Sequence, residues 1–462
     1  MIHTYRLQGC KIALDVNSGA VHLLDDVSFR ILSRAEEWEA LPEQIPEEFL
    51  LALSAYDSAD TVREAYGELW ALQESGTLFS GDEYAPFADR MEDAPVKAMC
   101  LHVAHDCNLR CEYCFAAQGD FGHGRKLMPV EVGERAIDFL LTNSGSRRNL
   151  ELDFFGGEPL MNFEVVRRVV AYARSKEAEY GKNFRFTITT NGLLLDGEKS
   201  AFINREMSNV VLSIDGRREI NDRLRVRRDG SGSYDSIVPK YLSFLQGRQD
   251  KEYYVRGTFT KHNLDFTNDV FHLAELGFDQ ISVEPVVSDS RLDYSIKPED
   301  LGRVFEEYET LAARIAKSRE EGDFFNFFHF MLDLDQGPCA IKRLRGCGCG
   351  NEYVAVTPEG DIYPCHQFVG SEEWKMGSVL DGTFDRQTKR KFARANVYTK
   401  EDCASCWAKF YCSGGCNANN AQYEGDILKP HSLSCEIEKK RLECAIVLQA
   451  KQLASENRSL NS

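Results

Sequence analysis

The order of elements in this chain predicts an α/β fold built on a parallel sheet, flanked by two regions of different character. Three observations carry that expectation. Between residue 96 and about residue 322, strand-like runs at 98–104, 150–155, 184–189, 209–214, 253–259 and 280–286 alternate with helical stretches such as 129–142, 163–180, 234–247 and 264–276. Six such βα units in a row call for a parallel sheet, open or curled into a partial barrel. Ahead of it, residues 1–85 read as short strands followed by helices, and beyond 335 the pattern breaks into short Gly- and Cys-rich pieces. None of the 15 cysteines falls between 115 and 338, whereas ten lie within 339–444.

At 462 residues the chain has room for about three domains. Hydrophobic residues at 43% and charged residues at 28% are ordinary for a globular protein and exclude a disordered or fibrous one. Lys plus Arg total 55 against 73 Asp plus Glu, a net charge of −18. That balance argues against a general nucleic-acid binder, because phosphate neutralisation needs clustered positive charge. The first residues, MIHTYRLQGCKIALD, contain no apolar signal region, and no run approaches 18 apolar residues, so a cytoplasmic protein without membrane contact is expected. In such a chain, an odd cysteine count in two tight groups points to metal or cluster ligation rather than disulfides.

In residues 1–85, strands are expected at 2–7, 11–16 and 20–24, separated by Gly9 and by the turn group Asn17, Ser18, Gly19. Helical patterns follow around Phe29, Ile31 and Leu32, then Phe49, Leu50 and Leu53, then Val62, Ala65, Leu69 and Leu72. Three strands followed by helices suggest a winged-helix-like unit. Its acidic surface, with Asp25, Asp26, Glu36, Glu37 and Glu39, makes a peptide a better ligand than DNA, a plain structural cap being the alternative. Residues 80–95, with Gly, two Pro and several acids, read as a mobile linker, and a last helix is expected at about 434–456.

In parallel sheets ligands gather at the carboxyl ends of the strands, and the notable residues fall there. The first strand runs into CNLRCEYC, a C-x3-C-x2-C spacing of Cys107, Cys111 and Cys114. Three thiolates in one loop can hold three irons of a cubane and leave the fourth open. Structural zinc would want four protein ligands, usually in C-x2-C pairs. Strand 150–155 runs into Gly156, Gly157, Glu158 and Pro159, where glycines admit a close ligand and Glu158 can accept from an ammonium. Strand 184–189 ends in Thr190, Asn191, Gly192, and 209–214 carries Ser213 ahead of Asp215 and Gly216. Ser213 suits a hydrogen bond to a ribose or carboxylate; Arg225 and Arg256 are nearby cations.

At these residues the sequence resembles the radical S-adenosylmethionine (radical SAM) superfamily. The resemblance implies a partial (β/α)6 barrel with a [4Fe–4S] cluster on Cys107, Cys111 and Cys114. Its open iron is chelated by SAM, which is cleaved to a 5′-deoxyadenosyl radical. It further implies that Gly156, Gly157 and Glu158 hold the methionine amino group, and that Arg225, with Arg256 as a second candidate, holds the SAM carboxylate. Tyr113 would pack on the adenine.

The C-terminal cysteines read Cys347-x12-Gly360-x4-Cys365, a gap, Cys403-x2-Cys406-x5-Cys412-x3-Cys416, a gap of 18, then Cys435. This pattern resembles the SPASM domain and implies two auxiliary [4Fe–4S] clusters. By resemblance the outer one takes Cys403, Cys406, Cys412 and Cys435; the inner one, nearer SAM, takes Cys347, Cys365 and Cys416. A fourth inner ligand could be Cys349, Cys339 or nothing. Two cysteines two apart rarely chelate one cluster comfortably, which favours Cys347 over Cys349 and leaves an open iron for a substrate thiolate. Cys10, Cys100 and Cys444 read as ordinary buried thiols.

Taken whole, the chain is most similar to maturases that install thioether cross-links in ribosomally made peptides. LDVNSGAVHLLD, RGCGCGNEYVAVTPEGDIYPCHQFVG and CNLRCEYCFA lie closest to the maturase of six-cysteines-in-forty-five-residues (SCIFF) peptides. That resemblance implies a leader-recognition unit at 1–85, the radical SAM barrel at 96–330, and a SPASM domain with a C-terminal helix at 335–462. The implied partners are a Cys-rich precursor peptide with its leader and an electron donor such as flavodoxin or ferredoxin. Two other readings stand beside it. A sulfatase-maturase-like oxidase of a Cys or Ser side chain shares the core motifs but lacks a leader-binding unit. A non-enzymatic zinc-binding scaffold would leave Gly156 to Pro159 and the C-x3-C-x2-C loop without a purpose. Glu284 and His366 are the candidates for a general base.

Overall fold

The computed structural model describes residues 1–91, 94–334 and 340–460, so Cys339 lies outside the described residues. The chain opens with an antiparallel meander of β1 (Ile2–Leu7), β2 (Cys10–Asp15) and β3 (Val21–Leu23), then α1 (Asp26–Ala35), α2 (Glu47–Leu53) and α3 (Ala59–Glu74). Asp25 and Ser58 start α1 and α3 by accepting the Ser28 and Thr61 amides. The central run is β4 (Ala98–His105), β5 (Lys126–Leu127), α4 (Val130–Asn143), β6 (Asn149–Gly156), α5 (Phe163–Tyr180), β7 (Asn183–Thr190), α6 (Gly197–Glu206), β8 (Met207–Ser213), α7 (Arg218–Leu224), α8 (Tyr234–Gln246), β9 (Glu252–Phe259), α9 (Phe266–Glu275), β10 (Gln280–Pro285), α10 (Leu301–Glu320) and β11 (Asn326–Phe327). The C-terminal part holds α11 (Ala340–Arg345), β12 (Tyr353–Val356), β13 (Asp361–Tyr363), β14 (Gly377–Ser378), β15 (Thr383–Phe384), α12 (Arg386–Arg394), α13 (Lys409–Cys412), α14 (Asn417–Glu424) and α15 (Ser432–Leu460).

Strands β4, β6, β7, β8, β9 and β10 pair in parallel in that order, with β11 added at the far edge. The sequence dictates their two faces. On β6, Leu150, Leu152 and Phe154 are fully buried, while Glu151 between them is exposed. The buried face meets α4 and α5, where Ile137, Leu140, Val166 and Val169 share the same core. Gly133 lets these helices close up, since a Cβ there would stand 2.4 Å from Val169 Cγ2. The polar alternates point into the curl of the sheet: Ser213 on β8 lies in register with Arg256 on β9, and Thr258 with Glu284 on β10.

Two features depart from the sequence reading. Helix α6 buries only Ile203 and α7 only Asn221 and Leu224, so neither carried a strong apolar period. The Cys-rich segment is also not detached from the sheet. Strand β12 pairs in parallel with β4, on the side opposite β6, and β13 to β15 continue the sheet antiparallel.

The expected mobile linker is anchored: Asp82 accepts from Tyr398 and Lys409, and Ala94 O accepts from Lys389. The N-terminal meander is buried on both faces. Ile2 and Ala13 pack with α1 and α3, while Tyr5, Leu7, Ile12 and Leu14 join the main core. His3 stacks on Trp407 at 4.0 Å between ring centroids, and Tyr5 Oη donates to Glu443 O on α15. Among the described residues no helix is long and apolar enough to cross a membrane.

Candidate active site

The loop that leaves β4 carries Cys107, Cys111 and Cys114 across the carboxyl ends of the strands. It is pinned by the segment after α7: Arg110 N donates to Val226 O, Glu112 N to Leu224 O, and Arg228 Nη2 to both Asp106 Oδ1 and Cys107 O. Gly119 closes the loop with φ +103°, where a Cβ would fall 2.6 Å from Cys107 Cβ. Leu109 N and Asn191 Nδ2 both donate to Cys107 Sγ. Burial pushes the Cys107 thiol up to about 12 and the Cys111 thiol to about 11, the latter eased by Arg225. Thiols so disfavoured as free anions become thiolates when a metal takes the proton's place. Among the described residues no three His, Cys, Asp or Glu side chains converge to hold a single ion. In a cubane each thiolate takes its own iron, which three thiols on one loop can supply.

Glu158 is wholly buried at the end of β6. Its carboxylate accepts from Leu160 N, Thr190 Oγ1 and Asn191 N, at 3.0, 2.8 and 2.8 Å. Burial still pushes its carboxyl up to about 7 against those donors. A buried carboxyl held so firmly and left without a paired cation fits an incoming ammonium. Gly156 and Gly157 serve it in a way the sequence did not suggest. Their absent Cβ atoms would strike Ala104 O and Asp106 O, each at 2.2 Å, so the close approach is to the end of β4 as well as to any ligand.

Across the rim, Arg225 is buried and donates from Nη1 to Tyr113 Oη at 2.8 Å. Tyr113 in turn donates to Asp215, whose carboxylate stands 3.8 Å from Arg225. Burial opposes the Arg225 charge, and Tyr113, Cys111 and Asp215 more than offset it. Among the described residues Arg225 Nε is buried without a hydrogen-bond partner, a donor that an added carboxylate would satisfy. The Tyr113 hydroxyl is therefore engaged in orienting Arg225, a role its expected packing on adenine did not foresee. Ser213 lies beside this group, its carbonyl accepting from Tyr241 Oη. Arg256 lies one strand further and is half-exposed, its guanidinium 2.5 Å from Glu284. Burial would raise the Glu284 carboxyl, but Arg256, His329 and Arg441 hold it at about 2, which makes it a poor base. His366 is kept neutral, lowered to about 4 by burial, against the rings of Phe115 and Phe155.

The C-terminal thiols fall into two neighbourhoods. Cys435 adds to the rise of the Cys403 and Cys412 thiols, and Cys406 neighbours both Cys403 and Cys435; in the second set Cys365 adds to the rise of Cys347 and Cys416. Cys349, which the two-residue spacing disfavoured, is part of the second set. Its thiol hydrogen-bonds that of Cys365 and feels Cys347 and Cys416. The left-handed Gly348 and Gly350 fold 347–351 into a tight turn, closed by Asn351 N and Glu352 N donating to Gly348 O. Cys100 and Cys444 are buried and Cys10 is half-buried. Residues that sequence reading passed over are Gly119, Asn108 and Arg228, all in or against the cysteine loop; only Gly119 had a local sign, a glycine among turn residues.

Comparison with known proteins agrees with this geometry. Residues 97–238 match the 4Fe-4S single cluster domain, and residues 347–407 match SPASM, an iron-sulfur cluster-binding domain. A cysteine-type anaerobic sulfatase-maturating enzyme of Clostridium perfringens is 23% identical over 348 residues, 70% of this chain and 89% of that protein. The structure of native anSMEcpe with bound AdoMet and Kp18Cys peptide superposes with a TM-score of 0.65 at 21% identity, covering 78% of this chain and all of the other. That of Streptococcus suis SuiB bound to precursor peptide SuiA has a TM-score of 0.51 at 16% identity and covers 94% of this chain and 98% of the other. At those identities the structural likeness speaks for the fold alone. The chain thus carries two iron-sulfur domain matches, one spanning the cysteine loop at the strand ends and one spanning the C-terminal cysteines from Cys347 to Cys406.

Proposed function

We propose that this protein is a peptide-modifying radical SAM oxidase that withdraws two electrons from a Cys or Ser side chain; its relatives include cysteine-type and serine-type anaerobic sulfatase-maturating enzymes. One observation carries the choice over thiolate capture. With Cys349 beside Cys365, the inner set offers four protein thiols, enough for a fully ligated auxiliary cluster with no iron reserved for substrate sulfur. Cys107, Cys111 and Cys114 would hold the first cluster. Glu158 would bind the SAM ammonium and Arg225 its carboxylate, with Ser213 and Arg256 on the ribose side. Bound SAM and the cluster supply one-electron cleavage and hydrogen-atom abstraction. The chain's own part is to orient: Tyr113 and Asp215 fix Arg225, and Gly156 and Gly157 let Glu158 sit at its depth. The two C-terminal thiol sets would hold the auxiliary clusters, which would supply electron transfer to a carrier such as flavodoxin or ferredoxin.

A second reading, the thioether maturase of a Cys-rich precursor, has residues 1–85 in its favour. Strand β3 is an edge strand with Leu23 half-exposed, a place where a leader peptide could add as a further strand. The SuiB match takes in 94% of this chain and the anSMEcpe match 78%. In this reading the domains run 1–85, 96–330 and 335–462. Anaerobic incubation with SAM, a reductant and the Kp18Cys peptide separates the two. Oxidation produces a carbonyl at the cysteine position that a hydrazide probe captures. Untouched Kp18Cys, together with a Cys-rich precursor that loses two hydrogens per link and takes no probe, would establish the thioether reading instead.

A further inference from the structure

Lys400 occupies an unusual position for a lysine. Its side chain is 4% exposed, and its ammonium donates to Gly414 O at 2.6 Å. Gly414 lies in the Ser413–Gly415 turn between Cys412 and Cys416, with φ +83°, and a Cβ there would meet Lys400 Cδ at 2.8 Å. The turn is thus shaped around the lysine. Among the described residues no carboxylate is within ion-pairing distance of Lys400. Instead it sits among thiols of both sets: its carbonyl accepts from Cys403 N at 3.3 Å, and the Gly414 carbonyl its ammonium holds lies midway along the chain between Cys412 of the outer set and Cys416 of the inner. A buried ammonium without a counter-charge is costly, and proteins rarely keep one. Among the described residues the groups around it that could carry negative charge, once a metal takes the proton, are the thiols of the two sets.

We propose that Lys400 is a positioning residue that acts as the shared counter-ion of the two auxiliary clusters, raising both reduction potentials together. This rests on the reading that the two thiol sets each hold a cluster. A cation stabilises the more negative, reduced form of each cluster, so removing it must make both harder to reduce. Because one ammonium serves both, a single substitution moves two signals, whereas the Cys107–Cys114 cluster, whose cation is Arg225, stays where it was.

The test is a redox titration of the anaerobic holoenzyme followed by electron paramagnetic resonance, with SAM present to mark the first cluster. Lys400→Met should lower both auxiliary potentials by at least a tenfold change in the reduction equilibrium, about 59 mV for a one-electron couple, and Lys400→Arg should restore them. Unmoved potentials in an iron-replete Lys400→Met protein, or a shift confined to one cluster, would overturn the proposal. Should Lys400→Met lose auxiliary iron, Lys400→Gln, which keeps a donor toward Gly414 O without the charge, decides by the same shift. If both neutral variants lose iron and Lys400→Arg keeps it at wild-type potentials, the counter-ion role stands. If Lys400→Arg fails too, the lysine matters only for fitting the turn and the proposal is wrong. Wild-type protein without auxiliary signals would instead refute the cluster reading itself, before any variant is made.

Discussion

The barrel rim and the C-terminal segment both gather cysteines, but on opposite structural terms. At the rim the cysteine loop hangs from β4, a strand buried along its whole length, and is tied down by Arg228, Leu224 and Val226. Its cation, Arg225, has its own carboxylate in Asp215. In the C-terminal segment Cys349 and Cys365 are themselves members of a small core with Phe368, Phe392 and Ile427, and among the described residues the buried Lys400 has no carboxylate within ion-pairing distance. The difference teaches that the rim is organised by the protein, whereas the second region depends on what its thiols bind. Metal removal should therefore leave the barrel folded and loosen the C-terminal segment, because ligand and fold are one energy there.

Glu158 offers the largest effect on the rim side. Its folded-state carboxyl, near 7, is raised above an unfolded value of 4.5 by burial. The protonated form is therefore favoured by folding. That contribution is complete below about pH 4.5 and is lost as pH rises through about 7, a difference of up to about 3 kcal/mol. The SAM-free wild type should lose stability between pH 5 and pH 8 in denaturant titrations, and Glu158→Gln should flatten that loss while abolishing SAM binding. An equal pH slope in the two proteins would mean that Glu158 is not the poised, cation-seeking group described above.

A smaller effect sharpens the C-terminal side. Gly350 has φ +70°, and a Cβ there would press on Phe392 Cγ at 2.4 Å. Gly350→Ala should cost about 1–3 kcal/mol by overpacking and deplete the inner auxiliary cluster, with SAM cleavage retained. Full iron content in this variant would show that the 347–351 turn does not set the inner ligands.

Much of this was legible in the sequence because the barrel strands alternate or run apolar with strand-like regularity, as Leu150, Leu152 and Phe154 show. The rim residues were legible because strand ends are where parallel sheets place ligands, so Cys107, Glu158 and Arg225 could be named before their contacts were seen. The place of Cys349 beside Cys365 was hidden because spacing along the chain is a poor guide where two left-handed glycines turn the backbone. The docking of β12 on β4 was hidden because a four-residue strand has too short a pattern to announce its partner. Lys400 left no sign at all: a lone lysine in a polar stretch reads as solvated, and only the fold closes over it.

Iron analysis of anaerobically purified protein, with and without Cys107, Cys111 and Cys114 replaced together by Ala, tests the two-region organisation most directly. Three cubanes of four irons give about twelve irons in the wild type. The triple variant should keep about eight, remain folded by circular dichroism, and form no 5′-deoxyadenosine. A wild type with only about four irons, all lost in the variant, or one that holds zinc in place of iron, would contradict it.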